Sequence, residues 1–139
     1  MRIVFLSPSG ELGGAETALL DILAAIREAR PDWPLAMIAA SGGPLLAKAA
    51  VYADATAMPF PKALARLGEW GTRGSLASHL RLAARLLAAS APVAMYARRL
   101  EKRLRDFNPD IIHSNGLKMH LLGARARTLP AKLVWHLHD

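Results

Sequence analysis

The chain has 139 residues, enough for one domain with a core of its own and too few for two. Apolar residues make up 53% and cysteine is absent, which excludes a disordered chain, a disulfide framework and thiolate metal sites. The formal charge is +7, and the segment from Arg73 to Arg105, with eight bases against the single acid Glu101, holds all of that excess.

Arg2-Ile-Val-Phe-Leu6 is a short, nearly continuous apolar run, the pattern of a strand buried on both faces. It is too short for a secretory signal, and no uncharged run further on is long enough to span a bilayer. A loop rich in Ser, Pro and Gly follows from Ser7 to Gly14. From Ala15 to about Arg30 the spacing of Leu19, Ile22, Leu23 and Ile26 predicts an amphipathic helix. Pro31 and Pro34 end it and lead into a second apolar run, Leu35 to Ala40. Ser41-Gly-Gly-Pro44 reads as a turn, followed by a short helix through Leu45, Leu46 and Lys48. Val51 to Met58 is a third strand, stopped by Pro59-Phe-Pro61, and Lys62 to Gly74 is irregular. A long helical region runs from Ser75 to Phe107, where Pro92 should kink or split it. Ile111-Ile-His113 is the fourth strand. Asn115-Gly116 turns into a helix with Leu117, Leu121 and Ala124 on its apolar stripe, and Lys132 to His138 is the last strand. Strands alternating with helices through short loops specify a parallel sheet covered on both faces.

In such sheets ligands bind outside the carboxyl ends of the strands. Gly10-Glu-Leu-Gly-Gly-Ala-Glu16 follows the first strand. Gly13 and Gly14 would let backbone approach a ligand, and the N–H groups of the helix start suit an anion such as a diphosphate. Glu16 would bond a sugar hydroxyl or simply complement the helix dipole. The loop is neither a dinucleotide fingerprint nor a P-loop. At the fourth strand's end His113, Ser114, Asn115 and Gly116 offer donors and acceptors for hydroxyl-rich ligands, although Ser114 or Asn115 would also serve as a helix cap. In Val134-Trp-His-Leu-His-Asp139, His136 and His138 point to one side of a strand, as proton shuttles, hydroxyl ligands or core. His120 is a surface or core residue. The basic positions Arg81, Arg85, Arg98, Arg99, Lys102 and Arg103 are open to two readings, a helix lying on anionic lipid or an ordinary solvated face. Nucleic acid ranks below both.

With these residues placed, the chain resembles the N-terminal domain of family 4 glycosyltransferases of the GT-B type. The resemblance covers nearly the whole chain. It rests on the opening strand, Gly13-Gly-Ala-Glu16, Gly43-Pro-Leu45, Pro59-Phe-Pro61, Pro109-Asp-Ile-Ile-His-Ser-Asn-Gly116 and Val134-Trp-His-Leu-His-Asp139. It implies an α/β, Rossmann-like domain over residues 1–139, incomplete at its C-terminus and truncated from a two-domain enzyme whose donor domain is absent. The implied activity is metal-independent, retaining transfer from a nucleotide-sugar, a substrate and not a cofactor, to a sugar or lipid-linked acceptor in polysaccharide or glycolipid synthesis. Carried over by position, Gly13 and Gly14 would approach the donor diphosphate. His138 would sit by the transferred sugar with His136 as the alternative, and His113 to Gly116 would line the acceptor side.

The expectations that follow are a cytoplasmic protein at the inner face of a membrane, inactive without its second domain, with an exposed sheet edge after the last strand. Two rival readings stand beside this one. The first is a stand-alone or membrane-peripheral binding module, and the second is a metal-dependent hydrolase built on His136, His138 and Asp139.

Overall fold

The two apolar runs at the start of the chain become neighbouring strands because neither has a polar face to offer water. All five residues of β1 (Ile3–Ser7) and all five of β2 (Leu35–Ala39) are buried. The computed structural model describes the backbone of residues 1–66, 76–126 and 129–137, and the side chains of those residues outside 76–89. Within these, β3 (Asp54–Ala57), β4 (Ile111–Asn115) and β5 (Lys132–His136) join the first two strands in one parallel sheet of order β3-β2-β1-β4-β5. The helices are α1 (Gly14–Ala29), α2 (Pro44–Ala49), α3 (Lys62–Ala65), α4 (Leu76–Phe107) and α5 (Leu117–Arg125). The architecture is the Rossmann-like α/β class that the alternation predicts.

Register decides which residues share a face. Ile3, Phe5, Leu35, Met37 and Ala39 face α1 and α2 and form the main core with Leu19, Leu23, Leu45 and Ala49. Each of the fully buried leucines contributes roughly 1.5–3 kcal/mol by leaving water. Arg27, near the end of α1, spends its guanidinium on the carbonyls of Pro31, Trp33 and Tyr52, so the turns that follow α1 and α2 are tied to the helix. On the opposite face α5 packs on β1 and β4 with Gly123 turned toward the sheet. A β-carbon there would stand 3.4 Å from Leu6 Cδ1 and 3.5 Å from Ile112 Cγ2.

The chain divides into two compact units, Phe60–Leu100 and the remainder. The first contains α3 and most of α4, with Leu64, Tyr96, Ala97 and Leu100 buried and the Phe60 and Tyr96 rings packed edge to face at 5.2 Å. The second contains the sheet, α1, α2, α5 and the last turns of α4.

Three expectations change. Residues 62–65 are helical rather than irregular: Pro61 pre-sets the backbone and Lys-Ala-Leu-Ala are good helix formers. Of the kink or split expected at Pro92, the split does not occur: α4 continues through it. Along α4, Tyr96, Leu100 and Leu104 are buried as the spacing predicts, while the stripe of Leu76, Leu80, Ala84 and Leu87 lies outside the described side chains. In α5 the predicted stripe is wrong: Leu117 and Leu121 are 71% and 62% exposed, and the buried positions are Met119, His120 and Gly123. β5 lies at one end of the five described strands, with Leu133, Val134 and Trp135 all exposed.

Candidate functional site

A parallel sheet leaves a crevice where its strand order reverses, and here that point lies between β1 and β4. The loop after β1 leads into α1 on one face, and the loop after β4 leads into α5 on the other. Both helices begin on a glycine that brings no capping side chain, Gly13 before α1 and Gly116 before α5. Among the described residues no side chain caps the first turn of α1, so its N–H groups face the crevice at the positive end of the helix dipole, and α5 likewise starts here on a glycine.

Asn115 and Glu16 meet there. Asn115 is buried, and its Nδ2 donates to Glu16 Oε1 at 3.4 Å across 99 residues of sequence. The other Glu16 oxygen lies 2.8 Å from where a β-carbon on Gly13 would stand, so the carboxylate leans over the start of its own helix. Gly116 adopts φ +76°, and a β-carbon there would press on Pro8 Cγ at 2.8 Å. Glycine is what allows the loop after β4 to close on the loop after β1. Gly13, Glu16, Asn115 and Gly116, nominated from two separate motifs, thus border one crevice.

Gly14 is different in kind. Nothing lies within 4 Å of the place its β-carbon would take, and the position is helical. Gly14→Ala should therefore leave the urea unfolding midpoint unchanged or raise stability by up to about 1 kcal/mol. A clear loss of stability would contradict the open surroundings described here. Unchanged stability makes Gly14→Ala a clean probe of ligand approach.

The histidines divide between the two faces of the sheet. His113 is partly buried on the α1 side, its ring 5.1 Å from Phe5 and 5.4 Å from His136, which pairs in register with Asn115. Burial, and then the charge His136 and His120 would carry, lower the His113 pKa to about 4. His120 is buried on the opposite face, where its Nδ1 lies 2.8 Å from Ser114 Oγ and its ring stacks on Trp135 at 5.3 Å. Its pKa is also lowered, by burial and then by His136. His120 is thus core. Its link to Ser114 joins α5 to β4 just before Asn115, a pairing that no sequence spacing announces.

These shifts have a consequence for stability. The unfolded chain takes up protons near pH 6.5 and the folded His113 only near pH 4, so stability is complete above about 6.5 and falls as pH drops through that window. Between pH 7 and pH 5 we expect His113 to account for a loss of at most about 2 kcal/mol, less what solvent screening removes. Urea titrations of wild type and His113→Asn check this. The variant should lose less stability than wild type between the two pH values, and an equal loss would remove His113 from the explanation.

The remaining nominated residues are less concentrated. His138 and Asp139 lie outside the described residues, as do the side chains of Arg81 and Arg85. Arg98 and Arg99 are exposed. The basic segment is less naked than its count suggests. Lys102 pairs with Asp106 at 2.7 Å, Arg105 with Glu101 at 2.8 Å, and Arg103 faces Asp54 at 3.6 Å and Thr56 Oγ1 at 3.2 Å. Asp54 and Asp106 both fall outside the segment that was counted. Among the described residues no group of three His, Cys, Asp or Glu could hold a metal ion, and no helix is long and apolar enough to cross a membrane.

No protein-family model matches the sequence, and no curated protein matches it. Among solved structures, the apo form of the lipopolysaccharide outer core galactosyltransferase WaaB superimposes with a TM-score of 0.56 at 12% identity, over 97% of this chain and 32% of that one. The calicheamicin glycosyltransferase CalG4 aligns at TM-score 0.47 and 17% identity, over 96% of this chain and 31% of that one, too loosely to argue from. The chain spans about a third of the length of either structure. The likeness to the galactosyltransferase is one of fold.

Proposed function

We propose that this chain is the acceptor-side, N-terminal domain of a GT-B glycosyltransferase of family 4 type. It moves a sugar from a nucleotide-sugar to a sugar or lipid-linked acceptor with retention of configuration and without a metal. The observation that carries this reading is the convergence of Glu16, Asn115 and two glycine-started helices at the switch point of the sheet. The superposition of nearly the whole chain on a third of a galactosyltransferase supports it.

The residues divide the work by charge. A carboxylate and a diphosphate repel each other at one helix end, so Glu16 takes a sugar hydroxyl, with Asn115 holding it in place. The backbone of Gly13 and Gly14 takes the diphosphate, Gly14 with open space beside it. Backbone N–H groups fixed there stabilise the charge that develops on the leaving diphosphate without having to reorganise. His113, neutral at pH 7, offers hydrogen bonds rather than charge on the acceptor side. His138 stands by the transferred sugar. The donor's base and much of its ribose fall to a second domain, and the protein works from the cytoplasmic side, at the membrane surface when its acceptor is a lipid.

The test is turnover by the full-length protein on a panel of nucleotide-sugars, with and without a chelator, and NMR of the product anomer. We expect turnover that is indifferent to chelation and gives the retained anomer. An inverted anomer, or turnover abolished by chelation, would overturn the corresponding part of the proposal. No turnover with any donor favours a binding module.

A further inference from the structure

We propose that the sheet face beneath the last turns of α4 holds a second binding site, for a small carboxylate with a short apolar body. A cavity of about 180 Å³ lies there, and it uses no residue of the switch-point crevice. Its floor is apolar: Val4, Ala36 and Ile38, from the central strands. The gap exists because Ala36 is small and β3 presents only Asp54 and Thr56 on this face, in register with Ala36 and Ile38.

The polar lining is unevenly compensated. Asp106 is paired with Lys102 at 2.7 Å. Arg103 and Asp54 answer each other loosely, at 3.6 Å. Arg2 is the exception. Among the described residues no carboxylate lies within ion-pair distance of its guanidinium, and neither Nη group has a protein acceptor. Nor is this side chain left to wander. Its Nε donates to the Phe107 carbonyl at 2.7 Å, and its charge centre sits 4.7 Å above the Phe107 ring. A fixed guanidinium with two unused N–H edges is the geometry that accepts a carboxylate through parallel hydrogen bonds. An ammonium would meet the one uncompensated charge of the lining with its own sign. Inorganic phosphate would find the charge but leave the apolar floor uncovered, so the ligand has both an anionic head and a short hydrocarbon part.

The experiment is a ¹H–¹⁵N NMR titration of the protein with butyrate, isobutyrate and hexanoate, with inorganic phosphate and butylammonium as controls. We expect saturable shifts at Ala36, Thr56 and the Arg2 Nε–H with a short carboxylate, and at least ten-fold weaker binding of phosphate. Ala36→Leu, which fills the cavity, should abolish binding while the rest of the spectrum is retained. Arg2→Lys, which keeps the charge but not the fork, should weaken it at least five-fold. Absence of saturable binding by all three carboxylates would overturn the proposal. So would phosphate binding as tightly as they do, or affinity unchanged in a folded Ala36→Leu. If Ala36→Leu does not fold, unchanged affinity in Arg2→Lys overturns it on its own.

Discussion

Gly10→Ala is expected to destabilise the protein by about 3 kcal/mol or more, the largest effect of any single methyl group placed near the crevice. Gly10 is buried, and its N–H donates to Ser41 Oγ at 2.8 Å while its carbonyl accepts from the Leu45 N–H at 2.8 Å. A β-carbon here would overlap the carbonyl oxygens of Ser41 and Gly42, which are backbone and cannot swing aside. The partner position is just as constrained. Gly43 sits at φ +151° and faces the Gly10 carbonyl, so a side chain at either residue drives the two loops apart. Urea unfolding of Gly10→Ala, with Gly14→Ala as a control only four positions away, checks the expectation. A loss below about 1 kcal/mol would mean that the two loops are not in backbone contact. The function of this clasp is positional: it fixes the loop that delivers Gly13 and Glu16 to the crevice.

His138→Ala in the full-length protein is expected to lower transferase turnover by at least about two orders of magnitude. His136→Ala should behave in the opposite way. His136 lies in β5 with its ring 5.4 Å from that of His113, so its loss removes packing between β4 and β5 and costs stability first. Its effect on turnover should be under about ten-fold and should follow from the looser strand pair. Turnover rates and melting temperatures of the two variants, taken together, separate the two histidines. If His136→Ala abolishes turnover and His138→Ala does not, the transferred sugar belongs beside His136.

The fold was legible because β1 and β2 carry apolar residues on both faces, so only a doubly covered parallel sheet can bury them. Pro31, Pro34 and the glycines at 42, 43 and 116 mark the connections. The buried face of α1 was legible for the same kind of reason: Leu19, Ile22, Leu23 and Ile26 repeat with a helical period and all enter the core. α5 defeated that reasoning, since a helix of nine residues with leucines on two sides has no unique apolar face. There the buried positions are Met119, His120 and Gly123, and neither a histidine nor a glycine stands out in a hydrophobic pattern. The site was half legible. Glycine and acid at the start of α1 signal a ligand loop, and so does Asn-Gly after β4. That Asn115 reaches Glu16, however, depends on β4 pairing with β1, a choice of strand order that the sequence does not display. The Gly10–Gly43 contact and the Ser114–His120 bond are likewise products of strand order, between residues with no shared motif. The charge count of the basic segment misled by omission, because Asp54 approaches Arg103 from a different strand.

Glu16, held by Asn115 at the β1–β4 switch point, is expected to bind a sugar hydroxyl during transfer. The most direct test is kcat/KM for the full-length Glu16→Gln variant on the best donor and acceptor. Gln keeps one oxygen for the Asn115 amide while replacing the other with an NH2 and removing the charge, so stability should fall by no more than the roughly 0.3–1 kcal/mol of a helix-start acid. We expect a loss of at least about ten-fold in kcat/KM, the scale of a charged hydrogen bond made in the transition state. Turnover equal to wild type would contradict it and return Glu16 to the role of a helix-start acid.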